Sequence, residues 1–279
     1  DPAVLPNPTG FGSNGRWDSR AAQWLLEVDH LSQVANIRQT QVKRLAKVGI
    51  STMTQLAESN YQTVKGIGDD VFVRLRNQAR LQKATGDSLV PTFELADTSG
   101  MLGAKGFQLL PPASDLDVFF DMEGYPLAEG GLEYLFGATY RENGKMEFAD
   151  WWAYDKSQEK KAFEGFIDWV YERWQQDRSM HIYHYASYEQ TALKRLMGDY
   201  ASRENQIDNL LRAGVFVDLY QVVRQGLCIG APSYSIKKVE RLYRPARSGD
   251  VGTAEDSIVF FDQWIESGEP ADWKLSPIL

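Results

Sequence analysis

The spacing of apolar positions divides the chain near residue 115 into a helical front and a strand-rich back. From Arg16 to Gly86 apolar residues recur every three or four positions, as Val42, Leu45 and Val48 do. That interval gathers them on one face of a helix. Ser51 and Thr52 stand before one such run as a cap, and Gly66-Ile67-Gly68 separates Tyr61 and Val64 from a last run carrying Val71, Val73 and Leu75. Residues 1–15, rich in Pro, Gly and Asn, read as an irregular lead-in. Residues 16–86 read as a helical domain, and 87–114, with Pro91, Pro111 and Pro112, as a linker.

Over 115–279 the period shortens to that of strands. DVFFDMEG (117–124), LEYLFGATY (132–140) and MEFADWWAY (146–154) predict three antiparallel strands, the last two joined by the hairpin signal Asn143-Gly144. EKKAFEGFIDWVYERWQQ (159–176) predicts a long helix whose core side holds Phe163, Phe166, Ile167 and Val170. A short strand at MHIYHYA (180–186) leads straight into a helix from Ser187. A second helix stops at Gly214, VFVDLY (215–220) predicts a fifth strand, and SYSIKKVERLY (233–243) a last helix. The expected class is α/β, with three antiparallel strands followed by two parallel ones. This order resembles the ribonuclease H-like fold, in which the first strand is central and the fourth lies parallel beside it.

Two carboxylates interrupt the apolar run of the first strand. Side chains two apart in a strand share a face, so Asp121 and Glu123 sit side by side. Like charges held this close repel, and a divalent cation would relieve the repulsion through oxygen ligands. The alternative is a strand that has reached water, with both acids solvated. Glu189 follows the fourth strand in the first turn of the next helix, which places a third acid at the same sheet edge.

Charge sharpens the division of the chain. The net charge is -8, yet residues 16–86 carry 11 Lys and Arg against 6 Asp and Glu, leaving a basic front and an acidic remainder. A basic segment suits phosphate and an acidic one suits metal, although both could be solvated surface. The Gly66-Ile67-Gly68 turn resembles that of a helix-hairpin-helix motif, where the amides opening the next helix receive a phosphate oxygen. Lys65, Gly66, Gly68, Arg74 and Arg76 are the candidate contacts, with Asp69 and Asp70 competing for the same amides. A hairpin that merely packs is the alternative. Cys228 is the single cysteine, which rules out an intramolecular disulfide and fits a reducing cytoplasm. No apolar run is long enough to span a bilayer, the lead-in is not a signal peptide, and the lack of an initial Met suggests a fragment.

FFDMEG resembles the first motif of DEDD-type 3'-5' exonucleases, and YHYASYEQTAL resembles the second, with His184 where Asn is usual and Glu189 where Asp is usual. Together with DHLSQVANIR, GIST, VFVDLY and PSYSIKKVE, these phrases make the chain similar to the RecB-like nuclease family, in which helix-hairpin-helix-like helices precede a ribonuclease H-like nuclease domain. The resemblance implies two-metal phosphodiester hydrolysis with Mg or Mn held by Asp121, Glu123 and Glu189. Asp218 would orient a metal-bound water or else cap the next helix, and His184 would touch substrate or donate to Glu189. Lys237 and Lys238 would bind phosphates or face solvent. The expected partners are nucleic acid, DNA more than RNA, and the RecB-type nuclease and helicase domains of a parent protein.

Two departures limit this expectation. The family's fourth acid belongs to a late helix, whereas Asp256 and Asp262 fall before its expected place, so the C-terminus is expected to be missing or lost. The cysteines that hold an iron-sulfur cluster in such parents are also lacking, and no cluster is expected here. The competing function is a catalytically incomplete nucleic-acid-binding or scaffold module of a helicase-nuclease assembly.

Overall fold

The computed structural model of the chain describes residues 15–96, 103–245 and 254–267. In chain order it contains α1 (Asp18–Glu27), α2 (Gln39–Ala46), α3 (Met53–Ala57), α4 (Asp69–Thr85), β1 (Phe93–Leu95), β2 (Val118–Tyr125), β3 (Leu132–Glu142) and β4 (Lys145–Trp152). There follow α5 (Lys156–Gln176), β5 (Ile182–His184), α6 (Tyr188–Tyr200), α7 (Glu204–Arg212), β6 (Phe216–Asp218), α8 (Leu219–Gly226), β7 (Leu227–Ile229), α9 (Ile236–Val239) and α10 (Ala254–Ser267). The described residues form two compact units, one of 15–96, 103–106 and 223–245 and one of 107–222 and 254–267.

The first unit is built around the helical pattern. Leu31, Leu45, Ile50, Leu56, Ile67 and Phe72 pack into one buried core. Gly49 and Gly66, at φ +83° and +86°, turn the chain just ahead of Ile50 and Ile67, a conformation that costs any residue with a Cβ. Thr52 opens α3 by accepting the Gln55 N–H at 3.1 Å, and the Gln55 side chain returns to the Thr52 N–H at 3.2 Å. The unit is completed by chain from far downstream. β1 pairs antiparallel with β7, and the buried Gln78 of α4 donates to the Ile229 carbonyl at 2.7 Å while accepting from the Tyr234 hydroxyl at 2.8 Å.

This arrangement differs from the expected boundaries. Residues 87–114 hold β1 and a 3-10 turn at Gly106–Leu109, and 223–245 group with the helical unit instead of the strand-rich one. β1 and β7 have three residues each and stand in no longer apolar run, unlike the equally short β5 and β6, so the pattern did not mark them.

The second unit is a five-stranded mixed sheet in the order β4-β3-β2-β5-β6. β2, β3 and β4 pair antiparallel, while β5 and β6 run parallel to β2, so the expected α/β class and central strand hold. Asn143 and Gly144 at φ +50° and +79° make the tight turn that carries β3 into β4. Phe163, Phe166, Ile167 and Val170 of α5 bury themselves against Val118, Phe120 and Phe136, with the Phe120 and Phe166 rings stacked at 4.0 Å. Leu193 and Leu196 of α6 and Leu210 of α7 extend that layer.

Among the described residues of this unit, α10 covers one end of the opposite sheet face. Phe261 and Trp264 of α10 pack there against Leu132, Tyr134 and Leu135. This helix departs from expectation, since the last one was placed at 233–243, where α9 has four residues and a 3-10 turn follows. In Ile258-Val259-Phe260-Phe261 the apolar residues are consecutive, and neither the helical nor the strand period stands out.

Candidate active site

Alternation along β2 decides where the acids point. Phe120 and Met122 are buried in the α5 layer, so Asp121 and Glu123 take the other face, together with the exposed Phe119. Asp121 is itself exposed, and its carboxylate accepts the Met122 N–H at 2.9 Å. β2 is the central strand, with antiparallel β3 on one side and parallel β5 on the other.

Glu189 does not join this pair. It is 3% exposed in the first turn of α6, with Oε2 facing His184 Nδ1 at 3.5 Å. Neither of those two atoms makes a hydrogen bond, while His184 Nε2 lies 2.9 Å from the Gln190 side-chain nitrogen. His184, expected to meet nucleic acid, is 3% exposed and therefore closed to a macromolecular ligand. The physical reason is again alternation: His184 is two residues from Ile182 and shares its core-facing side of β5, and Glu189 follows it there. Among the described residues, no group of three or more His, Cys, Asp and Glu side chains is placed to hold a metal ion.

The other expected residues divide by unit. Asp218, at the end of β6, accepts the Ala186 and Tyr220 N–H groups at 2.9 Å each. It ties down the β5–α6 turn, where Ala186 has φ +76°, and opens α8, which is the capping alternative. Lys65, Gly66, Gly68, Arg74, Arg76, Lys237 and Lys238 all belong to the helical unit. Lys65 and Arg74 are exposed, but Arg76 donates to the carbonyls of Tyr61 at 2.9 Å and Ser59 at 3.3 Å and so serves the fold. Gly68 caps α4, with an Asp70 carboxylate oxygen 3.2 Å from where its Cβ would stand. Asp262 of α10 accepts a short hydrogen bond from Tyr125, two residues beyond Glu123, and the Asp256 side chain lies outside the described residues.

The structure also shows groups that the sequence reading passed over. Asp150 on β4 lies in the same cross-strand row as Asp121, with only Gly137 between them. The register of β2 on β3 shifts between Glu123 and Gly124, so that Tyr134 is the extra residue of a bulge. Tyr134 therefore joins Leu135 toward α10, and Glu133 turns to the other face. Its carboxylate, 4% exposed as a residue, accepts from Arg195 Nη2 at 2.6 Å and from the Tyr188 hydroxyl at 2.8 Å, while its N–H donates to Glu159 Oε1 at 2.6 Å. Burial, and then the Glu133 carboxylate beside it, hold the Tyr188 hydroxyl above the ordinary tyrosine range, so it stays a neutral donor. Glu133 thus anchors the start of α6 to the acid-bearing end of β2. The signal available in the sequence was a single acid inside the apolar LEYLF run.

Gly124 makes this contact possible, because a Cβ there would run into the Tyr188 hydroxyl and stand 2.8 Å from Glu133 Oε2. Gly124→Ala is expected to cost about 1–3 kcal/mol, the usual range for overpacking, read as a lower urea midpoint at unchanged m-value. A midpoint equal to wild type would show that α6 can retreat from β2 freely.

Sheet order, helix placement and a carboxylate pair on the central strand define an α/β domain of ribonuclease H-like architecture. A family model described as RNase_H superfamily matches residues 118–276, more than half of the chain, and the chain belongs to that superfamily. Neither a curated protein nor a solved structure matches it. Membership is compatible with nuclease activity and suggests a nucleic-acid substrate. Folds of this kind commonly use divalent metals; here Asp121 and Glu123 share a face of β2, and among the described residues no group of three or more His, Cys, Asp and Glu side chains is placed to hold an ion. Among the described residues no helix is long and apolar enough to cross a membrane.

Proposed function

We propose that the strand-rich unit is a metal-dependent nuclease domain of the DEDD 3'-5' exonuclease type, within a larger RecB-like protein, hydrolysing phosphodiester bonds of DNA in preference to RNA. The observation that carries this reading is the placement of Asp121 and Glu123 side by side on the central strand of an RNase_H superfamily domain, on the face away from α5. In this reading the pair binds Mg or Mn, and Glu189 becomes the third carboxylate by leaving His184. A bound divalent cation would supply an activated water and neutralise charge on the phosphate. Glu133, through Tyr188 and Arg195, and Asp218, through the Ala186 amide, hold the β5–α6 turn against β2 while this happens. The helical unit would grip the backbone through the Gly66 and Gly68 turn with Lys65 and Arg74, and Lys237 and Lys238 would add phosphate contacts.

The test is cleavage of single-stranded oligonucleotides labelled at either end, with Mg, Mn or EDTA. Stepwise loss from the 3' end that needs the cation is the expected result. Substrates that stay intact with both metals would sink the nuclease reading. A second reading, a nucleic-acid-binding scaffold, is favoured by the lack of a three-ligand group among the described residues. It predicts binding that weakens steeply with salt and no cleavage.

A further inference from the structure

The end of the sheet that α10 leaves uncovered carries exposed aromatic rings next to Asp121. Pairing places Phe119, Thr139 and Phe148 in one cross-strand row, directly below the row of Asp121, Gly137 and Asp150. Successive rows on one face are about 7 Å apart. Phe119 is 47% exposed and stacked on Tyr183 of β5 at 5.2 Å, with 20° between the ring planes. Phe148 is 48% exposed and leans over Gly137, whose Cβ would stand 3.2 Å from the ring. Beside Phe119 a depression of about 270 Å³ opens, lined by Ser114, Asp115, Asp117, Arg141 and Met146.

Ordinary folding economy does not account for these rings. A sheet face meant for water would carry polar residues at such positions, and one meant for packing would be covered. The charges nearby select among occupants. Both Asp117 oxygens accept backbone N–H groups, from Ser114 at 2.9 Å and His181 at 2.8 Å. The Arg141 guanidinium lies 3.8 Å from the almost fully exposed Asp115, a loose pair in water that leaves the cation available to an anion. Exposed aromatic faces with a cation at their border suit unpaired bases joined by phosphates. A duplex offers them nothing comparable, because its bases are already stacked on one another.

We propose that this open face is a stacking platform for a single-stranded polynucleotide, with bases on Phe119 and Phe148, a phosphate at Arg141, and one end of the strand delivered to Asp121. Delivery to Asp121 rests on the nuclease reading above; the stacking does not. The experiment is fluorescence anisotropy of the whole chain with a labelled oligo-dT single strand and a blunt duplex of equal length, in EDTA at low salt, followed by cleavage with Mn. Phe119→Ala and Phe148→Ala are each expected to weaken single-strand binding about 5- to 140-fold, the usual effect of losing one base–aromatic stack. Arg141→Ala should lower the salt slope by about 0.7, one phosphate contact on a single strand. Unchanged thermal midpoints in the same variants would show that the loss is one of contact. Wild-type affinity in both aromatic variants, or equal affinity for the duplex, overturns the platform even if cleavage occurs. Ring-dependent single-strand binding without cleavage would instead uphold the platform and overturn the nuclease reading.

Discussion

Asp121→Asn is expected to lower cation-dependent strand shortening by at least about 100-fold while leaving the fold intact. Asparagine keeps the shape of the side chain and removes its charge, so an ion held between residues 121 and 123 loses one of its anionic ligands. Stability should change little, because Asp121 is exposed and asparagine keeps an acceptor for the Met122 N–H. The pair of measurements is therefore diagnostic: activity lost at an unchanged thermal midpoint. Full activity in Asp121→Asn would move the chemistry elsewhere. Glu189→Gln in the same assay asks a separate question. A loss comparable to that of Asp121→Asn would place Glu189 among the ligands, and wild-type cleavage would leave it as the buried partner of His184.

Glu133→Ala should destabilise this end of the sheet by about 2–4 kcal/mol by urea unfolding. It removes the partner of the Tyr188 hydroxyl and the closer of the two carboxylates paired with Arg195, which keeps Asp199 at 3.3 Å. Because the Arg195 side chain is 38% exposed, water recovers part of the loss, and the full penalty of a buried ion left alone does not apply. Glu133→Gln keeps an acceptor for Tyr188 and is expected to fall between wild type and alanine. If alanine and glutamine cost the same, the charge pairing with Arg195 would be the whole effect and the tyrosine bond would add nothing.

Legibility in the sequence followed the strength of local patterns. Long elements were plain: the α5 core residues, the Asn143-Gly144 turn and the apolar run of β2 gave the order of elements along the chain, and the sheet order followed from the resemblance to the ribonuclease H-like fold. The carboxylate pair was equally plain, since two residues of separation on a strand guarantee a shared face. What the sequence could not show was which face each later acid takes. Glu189 lies close to the sheet edge along the chain, but its carboxylate follows His184 to the buried side. The bulge at Glu123 and Gly124 was equally hidden, as pairing register is a relation between strands and leaves no mark in either alone. For the same reason Glu133 read as an anomaly in an apolar run. Its meaning depends on Tyr188 and Arg195, more than fifty positions downstream.

The β1–β7 ribbon has a bearing on how the protein is made. Phe93 must wait for Ile229, so the front helical unit cannot be finished until the ribosome has passed through all five strands of the mixed sheet. During synthesis, Gln78 and the edge of β1 lack their native partners for the time it takes to add well over a hundred residues. A gene fragment ending near residue 106 would keep them in that state permanently. Excision of the helical front for separate expression is therefore expected to yield a product that aggregates, whereas fusing residues 223–245 behind it should restore solubility.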